Sequence, residues 1–203
     1  NYRLEGNYLW SNNGAGGLTD RAYVMGVIGD YDGWSYSYGH TIGSAWGDPD
    51  NDGHFDLFVG NFAHADYYQD RPKFLRNDYF SSGVFTEDVD ATNALRYQES
   101  YASPALIDYD NGGWNDLYFT TVYAGDYPVL YANFGNIAMA EVAMSVSGLS
   151  FIAETYQNAW ADIDLDGDLD VVTGGNLYIN TTTGTQWLEV RLEGNGVTAN
   201  RNA

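Results

Sequence analysis

Three acidic segments with the same spacing recur along the chain, and they constrain its fold more than any other feature. The segments 48–56, 108–116 and 162–170, here loops 1, 2 and 3, each begin and end with Asp. Their first residues are separated by 60 and then by 54 residues. Self-similarity at such a period indicates an array of repeated supersecondary units.

Two further motifs keep the same order in each repeat. A short apolar run that closes on a polar turn follows each loop, and one copy precedes loop 1; the runs end at Asn12, Asn77, Asn133 and Asn180. A weaker element follows, a Val in an acidic strand, at 85–89 and 140–143. Each unit thus reads as strand, acidic loop, strand, variable loop, strand, turn and strand, which is the strand count of a propeller blade. The Ala- and Met-rich segment from Ile137 to Val146 is predicted to be strand.

The predicted fold is therefore all-β, with consecutive four-stranded antiparallel blades of a β-propeller. The repeat spacing accounts for about three blades plus partial ones. Three blades cannot close a ring, and an unclosed set leaves edge strands that must pair with missing blades or with another copy of the chain. We expect either a segment of a longer protein or a self-assembling subunit.

The loops have the spacing of a calcium site. Loops 1 and 3 carry Asp at positions 1, 3, 5 and 9 and Gly at position 6, where a turn requires positive φ. Ca²⁺ binds roughly six to eight oxygens, which such a loop can supply with a backbone carbonyl near position 7. The predicted carboxylate ligands are Asp48, Asp50, Asp52, Asp56, Asp108, Asp110, Asp116, Asp162, Asp164, Asp166 and Asp170, and the predicted carbonyl ligands are His54, Trp114 and Asp168. The imidazole of His54 is expected to point away.

The three loops are not equivalent. Gly112 replaces the position 5 carboxylate in loop 2, so two strong sites and one weaker site are expected. A helical calcium hand would end in Glu at position 12, where this chain has Val59, Phe119 and Thr173, and the loops are therefore expected to cap β-hairpins. The alternative is that these are ordinary Asp/Asn/Gly turns with solvated acids.

Composition restricts the partners. With 28 acidic and 8 basic residues the formal charge is -20, which repels nucleic acid and anionic lipid. The chain has no Cys, so thiolate metal sites and disulfides are excluded. No apolar stretch is long enough for a membrane span, and no membrane insertion is expected. Because weak oxygen-only sites fill at millimolar calcium, the predicted location is extracellular, at the cell surface or in the periplasm.

On these loops the sequence resembles the FG-GAP/VCBS repeat family, whose best-known fold is the seven-bladed propeller of integrin α-subunits. The resemblance implies calcium ligation at the loop aspartates and a ring of seven blades; Gly112 departs from the pattern. Residues 1–185 are assigned to these repeats. The segments 186–194 and 200–203 resemble the opening of an ASPIC/UnbV module, so 186–203 is assigned to a truncated β module of that type.

The sequence offers little for catalysis. None of His40, His54 and His64 has the spacing of a catalytic triad or a zinc site, so we predict a module that is not an enzyme. The predicted function is adhesion or protein or glycan binding, with structural calcium; the alternatives are a structural subunit of a cell-surface or filamentous assembly and an accessory domain of a secreted enzyme. Aromatic residues that could stack on sugars are Tyr23, Tyr31, Trp34, Tyr36, Tyr38, Tyr67, Tyr68 and Tyr127.

Overall fold

A computed structural model describes residues 5–31, 38–62, 71–78, 80–149, 152, 154–183 and 188. Thirteen strands and two short helices lie within these residues. The strands are β1 Trp10–Asn12, β2 Leu18–Asp20, β3 His40–Gly47, β4 Asp56–Phe62, β5 Lys73–Asn77, β6 Phe85–Glu87, β7 Tyr101–Ile107, β8 Asp116–Thr121, β9 Val129–Asn133, β10 Met139–Glu141, β11 Asn158–Ala161, β12 Asp170–Thr173 and β13 Asn176–Tyr178. The helices are α1 Val89–Ala94, between β6 and β7, and α2 Met144–Ser147, between β10 and β11.

The strands form antiparallel sheets in which neighbours in sequence are neighbours in space. The first sheet has the order β3-β4-β5-β6, the second β7-β8-β9-β10 and the third β11-β12-β13, while β1 and β2 form a hairpin. Antiparallel neighbours need only short connections, which the turn-rich sequence supplies. The predicted all-β class and the four-stranded antiparallel sheets are confirmed.

The second strand of each four-stranded sheet is central and covered on both faces. Every residue of β4 and of β8 is buried, including the polar Asn61 of β4 and Thr120 of β8. A strand covered on both faces reads as a nearly continuous apolar run and not as an alternating pattern. The sequences Leu57-Phe58-Val59 and Leu117-Tyr118-Phe119 have this property.

The described residues form three apolar clusters, two of which are shared by consecutive sheets. Phe58 of the first sheet stacks on Phe119 of the second, and Phe74, Tyr101 and Tyr131 belong to the same cluster. The opposite face of the first sheet packs against 22–27, and the opposite face of the second packs against the third sheet. Each sheet is therefore stabilised by its neighbours in sequence.

The first strands of successive sheets lie side by side. Strand β3 contacts β7, and β7 contacts β11. At the closest point a Cβ built on Gly43 of β3 would lie 2.3 Å from the carbonyl oxygen of Ala102 in β7. Glycine is required there by the approach of two backbones, because real Cβ atoms do not come so near an oxygen.

Two helical turns replace parts of predicted strands. The acidic strand expected to reach Val89 ends at Glu87, because Asp88 accepts a hydrogen bond from the Ala91 N–H and caps α1. The strand expected from Ile137 to Val146 is confined to β10. Helix α2 follows it and ends at Gly148, whose φ of 71° is a left-handed helix stop.

The boundary of the predicted C-terminal module is not tested by the structure. Of residues 186–203 the structure describes Leu188 alone, so the ASPIC/UnbV assignment lies outside the described residues. Neither helix in the described part of the chain has the length and apolar character needed to cross a membrane.

Candidate metal centres

Each acidic loop joins the first strand of a sheet to the second. Loop 1 follows β3, loop 2 follows β7 and loop 3 follows β11. The Asp at position 9 begins the second strand in all three repeats and pairs with the last residue of the first strand, as in Gly47 with Asp56. The loops are therefore hairpin tips, as expected, and a regular antiparallel pair fixes both ends of each.

Three carboxylates converge in every loop. One oxygen from each member of the group lies within 4.8 Å of the others. The groups are Asp48, Asp50 and Asp52 in loop 1, Asp108, Asp110 and Asp116 in loop 2, and Asp162, Asp164 and Asp166 in loop 3. Position 9 thus belongs to the group in loop 2, where position 5 is Gly112, whereas Asp56 and Asp170 are not members of the groups in their own loops.

Backbone amides hold the position 1 carboxylate in a fixed orientation. The two oxygens of Asp48 accept hydrogen bonds from Asp52 N and Gly53 N, each at 3.0 Å. Asp162 makes the same two bonds in loop 3 at 3.2 and 3.1 Å. The position 6 glycines have φ between 85° and 95°, which directs these N–H groups inwards. The carboxylates converge because the turn is wound around them.

A strand-end Asn, which is the last residue of β5 and of β9 and lies two residues after β13, closes the base of each loop. This role was not predicted from the sequence. The backbone N–H groups of Asn77, Asn133 and Asn180 donate to Oδ1 of the position 9 aspartates at 2.7, 2.7 and 2.8 Å. Their side-chain amides donate to the position 8 carbonyls. The signal was present in the sequence, because every apolar run of the second motif ends in Asn.

The second oxygen of the position 9 carboxylate differs between repeats. Oδ2 of Asp116 accepts a hydrogen bond from the Tyr109 N–H, and loop 3 repeats this bond. Loop 1 has Pro49 at this position, which has no N–H, and Oδ2 of Asp56 has no hydrogen-bond partner among the described residues. Burial raises the pKa of Asp56 to about 6 and that of Asp116 to about 7.

Loop 1 also holds a protein cation. Arg76 donates to Oδ2 of Asp50 at 2.7 Å and to Oδ2 of Asp88 at 2.8 Å. The Asp50 side chain is 6% exposed, and burial raises its pKa while Arg76 opposes the rise. Loops 2 and 3 have Ala132 and Ile179 at the corresponding place, one residue before the strand-end Asn. Arg76 therefore compensates part of the negative charge of loop 1.

The position 7 residues occupy three different environments. The His54 imidazole, which was expected to point away from the centre of the loop, has its Nδ1 3.3 Å from Oδ1 of Asp52. The His54 N–H also donates to Asp52, and both groups lower the pKa of that carboxyl. The Trp114 indole lies against Gly135. Asp168 is buried and bonded to an Asn of loop 2.

Several residues proposed for other chemistry lie apart from the loops. Trp34, Tyr36, Tyr67, Tyr68 and His64 lie outside the described residues. Tyr23 and Tyr31 are exposed, whereas Tyr127 packs against the core and under the guanidinium of Arg96. Tyr38 contacts the ring of Tyr31 at 4.9 Å, and His40 begins β3. Four members of the sugar-stacking set thus lie outside the described residues, and of the others Tyr31 and Tyr38 form a ring pair.

A different aromatic surface lies beside the first sheet. A cleft of about 580 Å³ lies between residues 7–10 and strands β3 and β4. Trp10, which is 57% exposed, and Tyr8 line it with nearly parallel rings 5.8 Å apart, and Trp46 lines it as well. Asn7, Thr41 and Ser44 add polar groups.

Comparisons with known proteins do not place the chain in a family. No family model matches the sequence, and no curated protein is significantly similar to it.

Proposed function

We propose that the three acidic loops bind Ca²⁺ and that the ions are structural. The observation that carries this proposal is the convergence of three carboxylate oxygens within 4.8 Å in each of three loops that share one spacing. The donors are all oxygen, which suits a hard cation such as Ca²⁺. A bound calcium ion would compensate the charge of the carboxylates and would hold the oxygen ligands of one hairpin tip together.

The residues present fit such an ion. Oδ1 of Asp108 and Oδ2 of Asp56 are buried without a hydrogen-bond partner within the described part of the chain. A buried, unpartnered carboxylate oxygen is costly, and solvated turns would not explain it. The groups that would hold the ion are the three clustered carboxylates of each loop, with the backbone carbonyls of His54, Trp114 and Asp168 and the position 9 carboxylates of loops 1 and 3 completing the shell.

The same proposal includes the arrangement of the sheets. Successive sheets pack face to face with their first strands β3, β7 and β11 adjacent, which is the relation between neighbouring blades of a propeller. We therefore propose that the sheets are blades of an FG-GAP/VCBS-type propeller.

The module serves adhesion or protein or glycan binding outside the cytoplasm. Weak oxygen-only calcium sites are loaded at millimolar calcium, which supports an extracellular, cell-surface or periplasmic location. Two other roles fit the same sheets: a subunit of a filamentous or cell-surface assembly, and an accessory domain of a secreted enzyme. Growth of particles with protein concentration distinguishes the assembly, and a catalytic module elsewhere in the full-length protein distinguishes the accessory domain.

Calcium titration of the purified chain tests the metal proposal. We expect heat of binding in calorimetry and a rise in Tm, because calcium at ten times its Kd adds about 1.4 kcal/mol per site. Magnesium at equal concentration should give a smaller rise, since it prefers a smaller octahedral shell. The double substitution Asp162→Asn with Asp166→Asn should remove the loop 3 contribution. The proposal fails if calcium gives neither heat nor a change in Tm.

Glycan recognition at the aromatic cleft is a second candidate function. The parallel rings of Tyr8 and Trp10 beside hydrogen-bonding side chains favour it, because sugars stack on flat aromatic faces and bond at their edges. A glycan array with calcium present tests it. Binding should be lost in Trp10→Ala and kept in Tyr23→Ala, which removes an exposed ring outside the cleft. Retained binding in Trp10→Ala would exclude the cleft.

A further inference from the structure

The acidic loops are hydrogen-bonded to one another, and the same position makes the contact at both junctions. Asn51, at position 4 of loop 1, donates through its side-chain amide to the carbonyl of Gly113 in loop 2 at 2.8 Å. Asn111, at position 4 of loop 2, donates to the carbonyl of Gly167 in loop 3 at 3.3 Å and to Oδ1 of Asp168 at 2.6 Å. In both cases the acceptor carbonyl belongs to position 6 of the following loop.

A second set of contacts runs in the opposite direction. The side-chain amide of Asn133 donates to the carbonyl of Pro49 at 2.7 Å, and that of Asn180 donates to the carbonyl of Tyr109 at 2.7 Å. Both acceptors are position 2 of the preceding loop. The Asp48 N–H also donates to Oδ1 of Asn115 in loop 2 at 2.8 Å. Each junction is therefore held from both sides.

The position 4 residue is well placed to transmit a change in its own loop. It directly follows the position 3 carboxylate in both loops and has left-handed backbone geometry, with φ of 56° in Asn51 and 54° in Asn111. Asn tolerates this geometry better than most residues. Loop 3 has the same geometry at Leu165, with φ of 63°, but its side chain carries no amide and is 77% exposed.

We propose that Asn51 and Asn111 are positioning residues that couple each loop to the next, so that cation binding in adjacent loops is cooperative. This inference rests on the proposed calcium function. A cation that draws together the carboxylates of loop 2 fixes the backbone at Asn111. The amide of Asn111 then holds the turn at Gly167 and Asp168, which carries the position 7 carbonyl of loop 3. Loop 3 is then already partly ordered when its own cation binds, so less conformational entropy is lost in that step. By linkage, a cation in loop 3 favours binding in loop 2 to the same extent.

Glycine substitutions isolate the side-chain contact. Asn111→Gly removes the amide and keeps the left-handed backbone accessible, because Gly adopts positive φ without strain. Leu165→Gly is the matched control, since it makes the same backbone change at position 4 of a loop without the bridging amide. Loop 2 can be disabled separately by Asp108→Asn with Asp110→Asn, which leaves Asn111 in place.

The measurement is the calcium affinity of loop 3 with loop 2 intact and with loop 2 disabled. Calorimetry with calcium and luminescence titration with terbium provide two readouts, and melting without cation checks that each variant is folded. We expect disabling loop 2 to weaken binding at loop 3 by about five-fold or more in the otherwise native chain. In Asn111→Gly, disabling loop 2 should weaken calcium binding at loop 3 by less than about two-fold. In Leu165→Gly, the effect of disabling loop 2 should be as large as in the native chain.

The outcomes separate this inference from the proposed function. Absence of calcium binding in the native chain would remove the proposed function and the coupling with it. Two results would overturn the coupling alone. One is a calcium affinity of loop 3 that is the same with loop 2 intact and disabled, and the other is an undiminished effect of disabling loop 2 in Asn111→Gly. A purely structural role would lower the melting temperature without changing the effect of disabling loop 2. If Asn111→Gly does not fold, Asn51→Gly repeats the comparison at loops 1 and 2.

Discussion

Asp56, Asp116 and Asp170 occupy the same position in three loops, but their second carboxylate oxygens have different surroundings. In loops 2 and 3 this oxygen accepts a backbone N–H, and in loop 1 the prolyl nitrogen of Pro49 has none to donate. Burial raises the pKa of Asp56 to about 6 and that of Asp116 to about 7, whereas Asp116 has a backbone donor on both oxygens. A single proline thus removes one hydrogen bond from the base of loop 1.

This difference predicts opposite effects of one substitution in two repeats. The pKa of Asp56 is about 6 in the folded chain and 3.8 ordinarily, so the folded state binds the extra proton and its stability falls as pH rises from about 4 to about 6. Without calcium at about pH 7.5, Asp56→Asn should therefore raise the free energy of unfolding by on the order of 1 kcal/mol, and at about pH 4 it should change little.

Asp170→Asn is the control for that measurement. Both Asp170 oxygens accept backbone N–H groups, from Asn180 and Ile163, so an amide nitrogen in place of one oxygen would face a donor. Urea unfolding at the two pH values should show Asp170→Asn to be destabilised at both. A loss of stability in Asp56→Asn at about pH 7.5 would contradict the explanation from Pro49.

At the scale of the elements, the sheets are held by close packing between strands of different sheets. The central strands β4 and β8 are buried throughout, and the contact of β3 with β7 brings two backbones together at Gly43. The helices are minor elements. Helix α1 is nonetheless joined to the first acidic loop, because Arg76 bonds both its cap residue Asp88 and Asp50 of loop 1.

The β3–β7 contact predicts the effect of adding one methyl group. Gly43→Ala should lower the free energy of unfolding by about 2 kcal/mol or more, because the new Cβ would meet the Ala102 carbonyl at 2.3 Å and Pro104 at 2.7 Å. The neighbouring Ser44→Ala tests the same strand without that approach and should change the stability by less than about 1 kcal/mol. Chemical denaturation of both variants checks the prediction. Equal stabilities would show that β3 and β7 can move apart to accommodate the methyl group without a loss of stability.

At the scale of the whole molecule, the charge distribution opposes folding unless it is compensated. The formal charge is -20, and the loops hold 12 of the 28 acidic residues. Arg76 compensates part of loop 1, and loop 3, with five acids in nine residues, has no basic residue within its own segment. Cation binding in the loops and screening of the acidic charges by salt should therefore both stabilise the folded chain. The two contributions can be measured separately.

The dependence of Tm on salt concentration should differ between the calcium-free and the calcium-bound chain. Raising the ionic strength from about 0.01 M to about 0.1 M shortens the Debye length from about 30 Å to about 10 Å, so Tm without calcium should rise. With saturating calcium the same change in salt should have a smaller effect, because the clustered carboxylates are already compensated. Each kcal/mol gained raises Tm by about 2–4 °C in a chain of this size. Identical salt dependence in both conditions would argue that calcium acts only by screening.

The sequence by itself determined the β class, the four-stranded unit, the hairpin loops and the acidic residues that converge in them. These features are local: turns need Gly at position 6, second strands covered on both faces read as apolar runs, and alternate loop residues point to one centre. The strand-end asparagines were visible as a motif, but their role was not, because their acceptors lie 10 to 84 residues away.

Only the tertiary structure decided how the repeats meet. The bonds from Asn51 and Asn111 to the next loop depend on which sheet lies beside which, and the salt bridge from Arg76 to Asp50 depends on how β5 lies against loop 1. Helix α1 combines a local cap, in which Asp88 accepts from the Ala91 N–H, with burial of Leu95 among residues of both sheets, which outweighs the strand propensity of Val89. Contacts between sheets join residues far apart in the chain, and sequence spacing carries no record of them.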